Sequence, residues 1–347
     1  MTASREDIIA CLNEMAPESL AEPWDNSGLN IGTKKKAISR LLICLDVTES
    51  AVDDACRFGA QMIVSHHPLI FSPIKRIDCD NAACALISRL IKNDINVYCA
   101  HTNADRTYGG LNDLLAGIVG ITTDEMRVGG ASATAAASDA PARHQHGAAG
   151  TAASDGTAAS DTAARGRDSA KAAASNGTAA SNEAASDGAA WERAERGAGA
   201  QGDAAPYPDA TPEFFRVGSL PRAFGADELS AYVCARLKQS DLQVAATPRP
   251  AGGITRMAVM CGSFGISAGA LKSAGAQAVL CGEIKHHQAL ELSAEGIFAM
   301  CAGHHGTERF FTQLAGKWIK DKFPDIEIMC SGFDSFPLRA YHRVCDE

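Results

Sequence analysis

The feature that most constrains the fold of this 347-residue chain is a long stretch without large aliphatic side chains. From Ala131 to Pro206 there is no valine, isoleucine, leucine, methionine or phenylalanine, and Trp191 is the one aromatic residue. Such a segment cannot bury enough apolar surface to offset the entropy lost on ordering. The sequence therefore predicts a low-complexity, disordered insertion, bounded at 130–212, between an N-terminal half (1–129) and a C-terminal half (213–347).

The two flanking halves share one pattern, in which near-continuous apolar runs alternate with helical segments. The runs are RLLICLDV (40–47), QMIVSHHP (61–68), INVYCAHTNAD (95–105), RMAVMCG (256–262), AQAVLCGE (276–283), IFAMCAGH (297–304) and IEIMCSG (326–332). Parallel strands that helices cover on both faces have this continuous apolar character. The sequence predicts an α/β fold made of two related βαβ-type halves with mainly parallel sheets.

Local signals predict two further details. Ser4 and Asp7 have the spacing of a capping box, which indicates a helix that begins at the N-terminus. The segment ERFFTQLAGKWIKDKF (308–323) is predicted to form one continuous helix after the strand at 297–304.

Charge and cysteine usage limit the class of protein. The formal net charge of −9 lacks the broad basic footprint of a nucleic-acid binder, so direct nucleic-acid binding is not expected. The twelve cysteines contain no CxxC pair, and several lie in apolar runs, as expected for reduced thiols in the cytoplasm. Because no apolar run reaches about 18 residues, no membrane association is expected.

Histidines and carboxylates gather where the predicted strands end. The carboxyl ends of parallel strands are where ligands bind in such sheets. Imidazoles and carboxylates together are a ligand set for Zn²⁺, Mn²⁺ or Fe²⁺. The candidate metal ligands are His66, His67, His101, Asp105, His304 and Glu308.

Each of these motifs also has a purely structural interpretation. A histidine pair before a proline could be a turn, and adjacent side chains of a continuing strand point to opposite faces. The pairs His101–Asp105 and His304–Glu308 could be a helix-entry hydrogen bond and an ion pair. Their coincidence at several strand ends is what favours a metal site. The shared spacing of the two pairs selects His304, not His305, as the ligand.

The number of ligands indicates two ions. Two four-coordinate ions need roughly eight ligand positions, and six protein ligands are available. One bridging carboxylate, for which Glu308 is the candidate, and one bridging water would supply the difference. This is the composition of a two-metal hydrolytic site.

Six motifs, in order and in setting, resemble those of the GTP cyclohydrolase I type 2 homologue family, also called NGG-interacting-factor-three-like proteins. They are EPWDNSGLNIG (22–32), SHHPLIF (65–71), AHTNADRTYGGLND (100–113), FRVGSL (215–220), CGEIKHHQAL (281–290) and GHHGTERF (303–310). The resemblance covers roughly 1–129 and 213–347.

The resemblance implies a dinuclear metal site in a two-part α/β subunit that assembles into a toroidal homohexamer. Its ligand motifs fall on the six residues named above. Its GE-x-x-x-H element falls on Glu283 and His287, which we take as the candidate catalytic residues for proton transfer. The stretch from Trp24 to Asn26 is expected to line or brace the site, or else to form an Asx-capped turn.

The predicted function is that of a metal-dependent hydrolase of the GTP cyclohydrolase I type 2 kind, acting on a purine nucleotide. The sequence has no P-loop and no GxGxxG motif, so the nucleotide is implied by the resemblance alone. Two alternatives stay open: a metal-dependent scaffold or regulatory partner without GTP turnover, and a different metallohydrolase.

Overall fold

The computed structural model describes residues 2–122, 213–245, 250 and 252–331. The predicted disordered insertion at 130–212 lies outside the described residues. The strands are β1 (Ala3–Ser4), β2 (Gly28–Ile31), β3 (Ala37–Ile38), β4 (Arg40–Cys44), β5 (Met62–Ser65), β6 (Asn96–Cys99), β7 (Arg216–Phe224), β8 (Gln243–Val244), β9 (Ile254–Val259), β10 (Ala278–Cys281), β11 (Phe298–Cys301) and β12 (Glu327–Cys330).

Helices connect most of these strands. The α-helices are α1 (Arg5–Met15), α2 (Glu49–Phe58), α3 (Ala82–Lys92), α4 (Thr102–Arg106), α5 (Leu111–Ile118), α6 (Ala226–Leu237), α7 (Ala268–Ser273), α8 (His286–Ala294), α9 (His304–Glu308) and α10 (Phe311–Lys322). A 3₁₀ turn spans Glu18–Leu20. None of the described helices is both long and apolar enough to cross a bilayer.

Two five-stranded sheets carry the architecture. In the first sheet the order is β12-β4-β5-β6-β2, and only the β2–β6 pair is antiparallel. In the second the order is β7-β9-β10-β11-β8, with β9, β10 and β11 parallel and both edge strands antiparallel. The predicted α/β fold with mainly parallel sheets is confirmed.

The parallel strands are apolar because both of their faces are covered. All residues of β5, β6 and β10 are buried. One apolar cluster takes side chains from both sheets, among them Leu41, Met62, Met257 and Leu280. Because each sheet buries a face in this shared core, the carboxyl ends of their central strands are held in fixed positions.

The N-terminal capping box forms as predicted. The Ser4 side chain accepts a hydrogen bond from the Asp7 amide, and the Asp7 carboxylate accepts one from the Ser4 amide. This arrangement satisfies two amide groups that the first turn of α1 leaves without helical partners.

Two predicted elements differ from the structure near the candidate ligands. The run 95–105 is a strand only to Cys99, and its last residues form α4. The helix predicted over 308–323 is two helices, α9 and α10, separated at 309–310. The two short helices, α4 and α9, each place a carboxylate four residues after a histidine, which brings both side chains to one side of the turn. No proline or glycine marks the break after Glu308, so local signals did not predict it.

A buried ion pair joins the two halves of the chain. The Arg216 guanidinium donates to both Asp113 carboxylate oxygens at 2.7 and 3.1 Å, and to the Arg106 and Thr107 carbonyls at 2.8 and 3.0 Å. Arg216 and Asp113 are 5% and 3% exposed. Because both side chains are buried, removal of the arginine would leave a buried carboxylate without a counter-charge.

We predict that Arg216→Met lowers the free energy of unfolding by about 3 kcal/mol, the scale for breaking one side of a buried pair. Urea denaturation monitored by circular dichroism measures this change. The matched control is Arg222→Met, whose pair with Glu228 is exposed to solvent and therefore contributes far less to stability. Equal losses in the two variants would contradict a special role for the buried pair.

Candidate metal centre

The six candidate ligands come from three strand ends in two sheets. His66 and His67 follow β5. His101 directly precedes α4, the short helix after β6, and Asp105 lies within that helix. His304 and Glu308 are the first and last residues of α9, after β11. All three strands are parallel members of their sheets, so their carboxyl ends lie at one edge of each sheet.

The structure brings these side chains together. The imidazole centroid of His66 lies 5.0 Å from that of His67 and 5.2 Å from that of His101. His67 also lies 5.4 Å from His101 and 5.3 Å from His304. His66, Asp105 and Glu308 are buried, whereas His67, His101 and His304 are partly exposed. The cluster therefore has one side that is buried in the protein and one side that is accessible to solvent.

Two overlapping groups have the spacing of metal ligands. His66, His67 and His101 form one, His67, His304 and Glu308 form the other, and in each group the ligand atoms lie within 4.8 Å of one another. Glu308 faces both groups. Its Oε2 is 3.0 Å from His67 Nε2 and 3.1 Å from His304 Nε2, while its Oε1 is 3.7 Å from His66 Nε2.

Several buried atoms of the cluster have no hydrogen-bond partner among the described residues. They are His66 Nε2, His67 Nε2, Asp105 Oδ1 and Glu308 Oε2. His67 Nε2 and Glu308 Oε2 do approach each other to 3.0 Å, as an ion pair when the ring is protonated. One unsatisfied buried polar atom costs about 1–3 kcal/mol, and native proteins contain few. Four that converge on one spot fit divalent cations, which accept lone pairs from all of them.

The outer nitrogen of every imidazole in the cluster is already engaged. Because each Nδ1–H has a fixed acceptor, Nε2 is the nitrogen that points inward and that, once deprotonated, can give its lone pair to a metal, the arrangement found around metal-bound histidine. The acceptors are the Ala100 carbonyl for His66 (2.9 Å), Asp46 for His67 (2.8 Å), Asp25 for His101 (2.8 Å) and Glu283 for His304 (3.0 Å).

Asp25 braces the His101 arm. Besides the His101 ring, its carboxylate accepts hydrogen bonds from the Thr102 amide (3.1 Å), the Thr102 hydroxyl (2.5 Å) and the Ser27 hydroxyl (2.8 Å). Burial would raise the pKa of Asp25, but the hydrogen bond from His101, the charge of that ring and the hydrogen bonds from Thr102 and Ser27 together outweigh it and lower that pKa well below the ordinary value. Of the two readings of the Trp24–Asn26 stretch, the contacts of Asp25 favour bracing.

Asp46 is a functional candidate that no sequence motif indicated. It directly follows the apolar run that ends β4, and it accepts the Nδ1–H of His67. A lone aspartate after a strand is usually a turn residue, so the residue type alone did not indicate a functional role for Asp46. Its position at the same strand-end edge as the predicted ligands was the signal available.

The two candidate catalytic residues lie in different surroundings. Glu283 accepts hydrogen bonds from His304 Nδ1 and from the Ser263 hydroxyl, and these hydrogen bonds lower the pKa of its carboxyl. His287 lies in the first turn of α8 and is exposed to solvent. Their roles in proton transfer stay predictions.

A glycine makes room for the second ligand group. Gly262 follows β9 with φ of +63°, and a Cβ there would lie 2.5 Å from Glu308 Oε1 and 3.2 Å from the His304 ring. Glycine adopts this left-handed conformation without steric cost, and any larger residue would displace Glu308 from the cluster.

Burial and the neighbouring carboxylates set the protonation of the imidazoles in opposite directions. Burial lowers the pKa of His66 to about 4, so its ring is neutral. Burial acts in the same direction on His67 and His304, but their carboxylate neighbours outweigh it and raise the pKa of each to about 10. Without a metal, protons on these rings supply the positive charge that a divalent ion would otherwise bring.

Sequence comparison identifies relatives of this chain. A family model described as Duf34/NIF3 (NGG1p interacting factor 3) matches residues 3–337. A GTP cyclohydrolase 1 type 2 homolog from Halalkalibacterium halodurans is 44% identical over 124 residues, 36% of this chain and 33% of that protein. One from Clostridium perfringens is 46% identical over 114 residues, 33% of this chain and 44% of that protein. The chain thus spans less than half the length of these relatives.

Solved structures have the same fold. A Bacillus cereus protein related to NIF3 superposes with a TM-score of 0.68 at 24% identity, over 98% of this chain and 99% of that one. Reduced HcgD from Methanocaldococcus jannaschii superposes with a TM-score of 0.63 at 20% identity, over 96% and 99% of the two chains. At these identities the superpositions support the fold alone.

We predict that His304→Ala weakens metal binding by about 100-fold or more, because loss of a ligand should exceed the roughly 10–100-fold cost of losing an outer partner. His305→Ala is the matched control, since the neighbouring ring belongs to neither ligand group. Metal content after dialysis against a weak chelator, measured by mass spectrometry, separates the two. Similar losses in both variants would show that the ligand assignment is wrong.

We also predict that metal binding releases at least about two protons per chain at pH 7. The pKa values near 10 keep His67 and His304 protonated in the metal-free protein, and a metal must displace those protons. Affinity should therefore rise with pH up to about 10. Titration calorimetry in buffers of different ionisation enthalpy counts the released protons, and binding without proton release would contradict the assigned protonation.

Proposed function

Because the chain belongs to the Duf34/NIF3 family, we propose that it is a dinuclear metal protein and a metal-dependent hydrolase that acts on a purine nucleotide. The observation that carries the metal part is the convergence of four unsatisfied buried ligand atoms on one spot. The hydrolase part is supported by the mixture of imidazoles and carboxylates, which is the ligand chemistry of two-metal hydrolytic sites.

The distances favour a particular division of the ligands between two ions. An imidazole nitrogen has one lone pair, so His67 can serve only one ion. Its contact with Glu308 Oε2, which also approaches His304 Nε2, groups these three residues around one ion. The remaining ligands, His66, His101 and Asp105, would hold the other ion together with Glu308 Oε1. This division supports Glu308 as the bridging carboxylate.

The ligand types limit which metals would bind. Four imidazoles with two carboxylates suit borderline divalent ions such as Zn²⁺, Mn²⁺ or Fe²⁺, and a site made of oxygen ligands alone would be expected for Mg²⁺ or Ca²⁺. The identity of the two ions is part of the proposal and is open to direct measurement.

Two bound divalent ions supply Lewis-acid polarisation of the substrate and acidify water. The protein's own contribution is orientation and charge. Asp25, Asp46 and Glu283 fix the ring planes of three histidines through their Nδ1–H groups. Glu308 brings a buried negative charge between the two ligand groups.

Glu283 is the group best placed to handle a proton at the open side. It is exposed, it contacts His304, and its lowered pKa keeps it ionised at neutral pH as a proton acceptor. His287, four residues further on at the start of α8, would exchange that proton with solvent.

The purine nucleotide and the assembly rest on likeness. The aligned relatives carry the name GTP cyclohydrolase 1 type 2 homolog, over about a third of this chain. The family resemblance also implies a homohexamer, which a mass measurement in solution would test.

We predict two metal ions per chain in the purified protein and turnover of GTP within a panel of purine and pyrimidine nucleotides. Asp105→Asn keeps the size of the side chain and removes its charge, so it should lower turnover by about 100-fold or more. Metal analysis and chromatographic detection of products measure both quantities on the same sample.

The outcomes separate the parts of the proposal. Fewer than two ions in a fully active sample would remove the dinuclear site. Two ions without turnover of any nucleotide would remove the nucleotide hydrolase, and would favour a metal-dependent scaffold or another metallohydrolase.

A further inference from the structure

Two large aromatic rings remain exposed at the edge of the metal cluster. Trp24 is 57% exposed and Phe71 is 46% exposed. Their ring centroids are 5.9 Å apart with planes tilted by 44°. Trp24 also meets the candidate ligand His101 edge-on, with centroids 6.1 Å apart and planes at 76°. Trp24 therefore lies beside a candidate ligand, and Phe71 lies beside Trp24.

Both rings are held by residues that position the cluster. Trp24 directly precedes Asp25, which accepts the His101 Nδ1–H. Asn26 donates from its side chain to the carbonyl of Ile70, the residue before Phe71, at 2.5 Å. The Ile70 amide in turn donates to the Asn30 side chain at 3.3 Å. These bonds tie the two loops to each other and to the His101 arm.

Exposure and rigidity together are what distinguish this pair. An aromatic side chain has only two torsions, so a fixed backbone leaves its face well defined. An indole face stacks on any planar heteroaromatic ring, largely irrespective of its substituents. A ring stacked on Trp24 would lie about 3.5–4.0 Å from the indole, and its edge would approach the cluster beside His101.

We propose that Trp24 and Phe71 form a stacking site for the planar heteroaromatic ring of the substrate, with Trp24 as the principal contact. The inference rests on the proposed function in that the reacting end of the ligand lies at the metal ions. It adds a ring-recognition site, separate from the metal ligands, that admits a nucleobase and gives no contact to a sugar phosphate alone.

The same exposed surface could instead be a contact between copies of the chain. Ile74 and Ile77, which follow Phe71, are 40% and 63% exposed and extend the apolar surface. What favours a small planar ligand is the contact of Trp24 with His101, since it places the exposed indole beside the cluster and not on a remote part of the surface.

The test is equilibrium binding of guanosine to the full-length, metal-loaded chain, measured by titration calorimetry and by tryptophan fluorescence. Ribose 5-phosphate is the matched probe without a ring system. The variants are Trp24→Ala, Trp24→Phe and Phe71→Ala. Ile91→Ala is the control, because Ile91 is also exposed but lies in the last turn of α3. That turn comes just before the amino end of β6, whereas the cluster lies beyond the carboxyl end of the same strand.

Trp24→Ala should weaken guanosine binding about 10- to 100-fold, and Trp24→Phe should keep it within about 3-fold. Phe71→Ala should have a smaller effect than Trp24→Ala, and Ile91→Ala should have none. Guanosine should quench the fluorescence of the wild type but not of Trp24→Phe. Binding of ribose 5-phosphate should be the same in all variants.

Unchanged guanosine binding in Trp24→Ala, or no saturable guanosine binding by the wild type, would overturn the stacking site. So would a fall in oligomer mass in Trp24→Ala with guanosine affinity retained, since the surface would then be a contact between copies. Metal content is measured on each sample. Absence of guanosine binding by a wild type that holds two ions therefore counts against this site alone, whereas missing ions count against the proposed function.

Discussion

Glu308 carries a carboxylate into a place that water scarcely reaches, where three imidazole rings point their Nε2 atoms at it. An ionised group in such surroundings needs compensating positive charge, because desolvation of an isolated charge is very costly. Much of the local structure can be understood as meeting this requirement. Gly262 leaves space for the carboxylate, and the outer hydrogen bonds of the histidines aim their lone pairs at the same spot. The ligand atoms are thereby held around one buried carboxylate, an arrangement that suits a small divalent cation.

The two halves of the chain contribute residues to this site through similar structural elements, with one difference. In both halves a parallel strand is followed by a histidine and a short helix, and that helix carries a carboxylate four residues after the histidine. At the neighbouring strand the halves differ. After β5 the chain presents two histidines, and after β10 it presents Gly282 and Glu283. A Cβ on Gly282 would lie 2.6 Å from the Gly262 carbonyl, so the backbones of the C-terminal half approach one another more closely than side chains would permit.

Much of this organisation was readable in the sequence because it depends on local pattern. Continuous apolar runs predicted the buried parallel strands, and histidines at their ends predicted the cluster, since the carboxyl ends of parallel strands meet at one edge. Features that depend on contacts between distant segments were not readable. The antiparallel edge strand β2 and the pairing of β12 with β4 follow from packing across the whole chain. The role of Asp46 needed the position of His67, and the break between α9 and α10 has no local residue signal.

The pairing of β12 with β4 means that the division of the sequence into two halves is not a division of the sheets. The first sheet receives its outer strand from the far end of the described chain, across the whole C-terminal half. During synthesis β4 emerges early and its open edge must wait for β12, and unpaired edges are templates for wrong association. Closing such long-range contacts late is also slow, since the loop entropy is lost before the pairing is gained. Proteolytic fragments cut between the halves would therefore be expected to need each other, as two interlocked pieces do, before either could hold its shape.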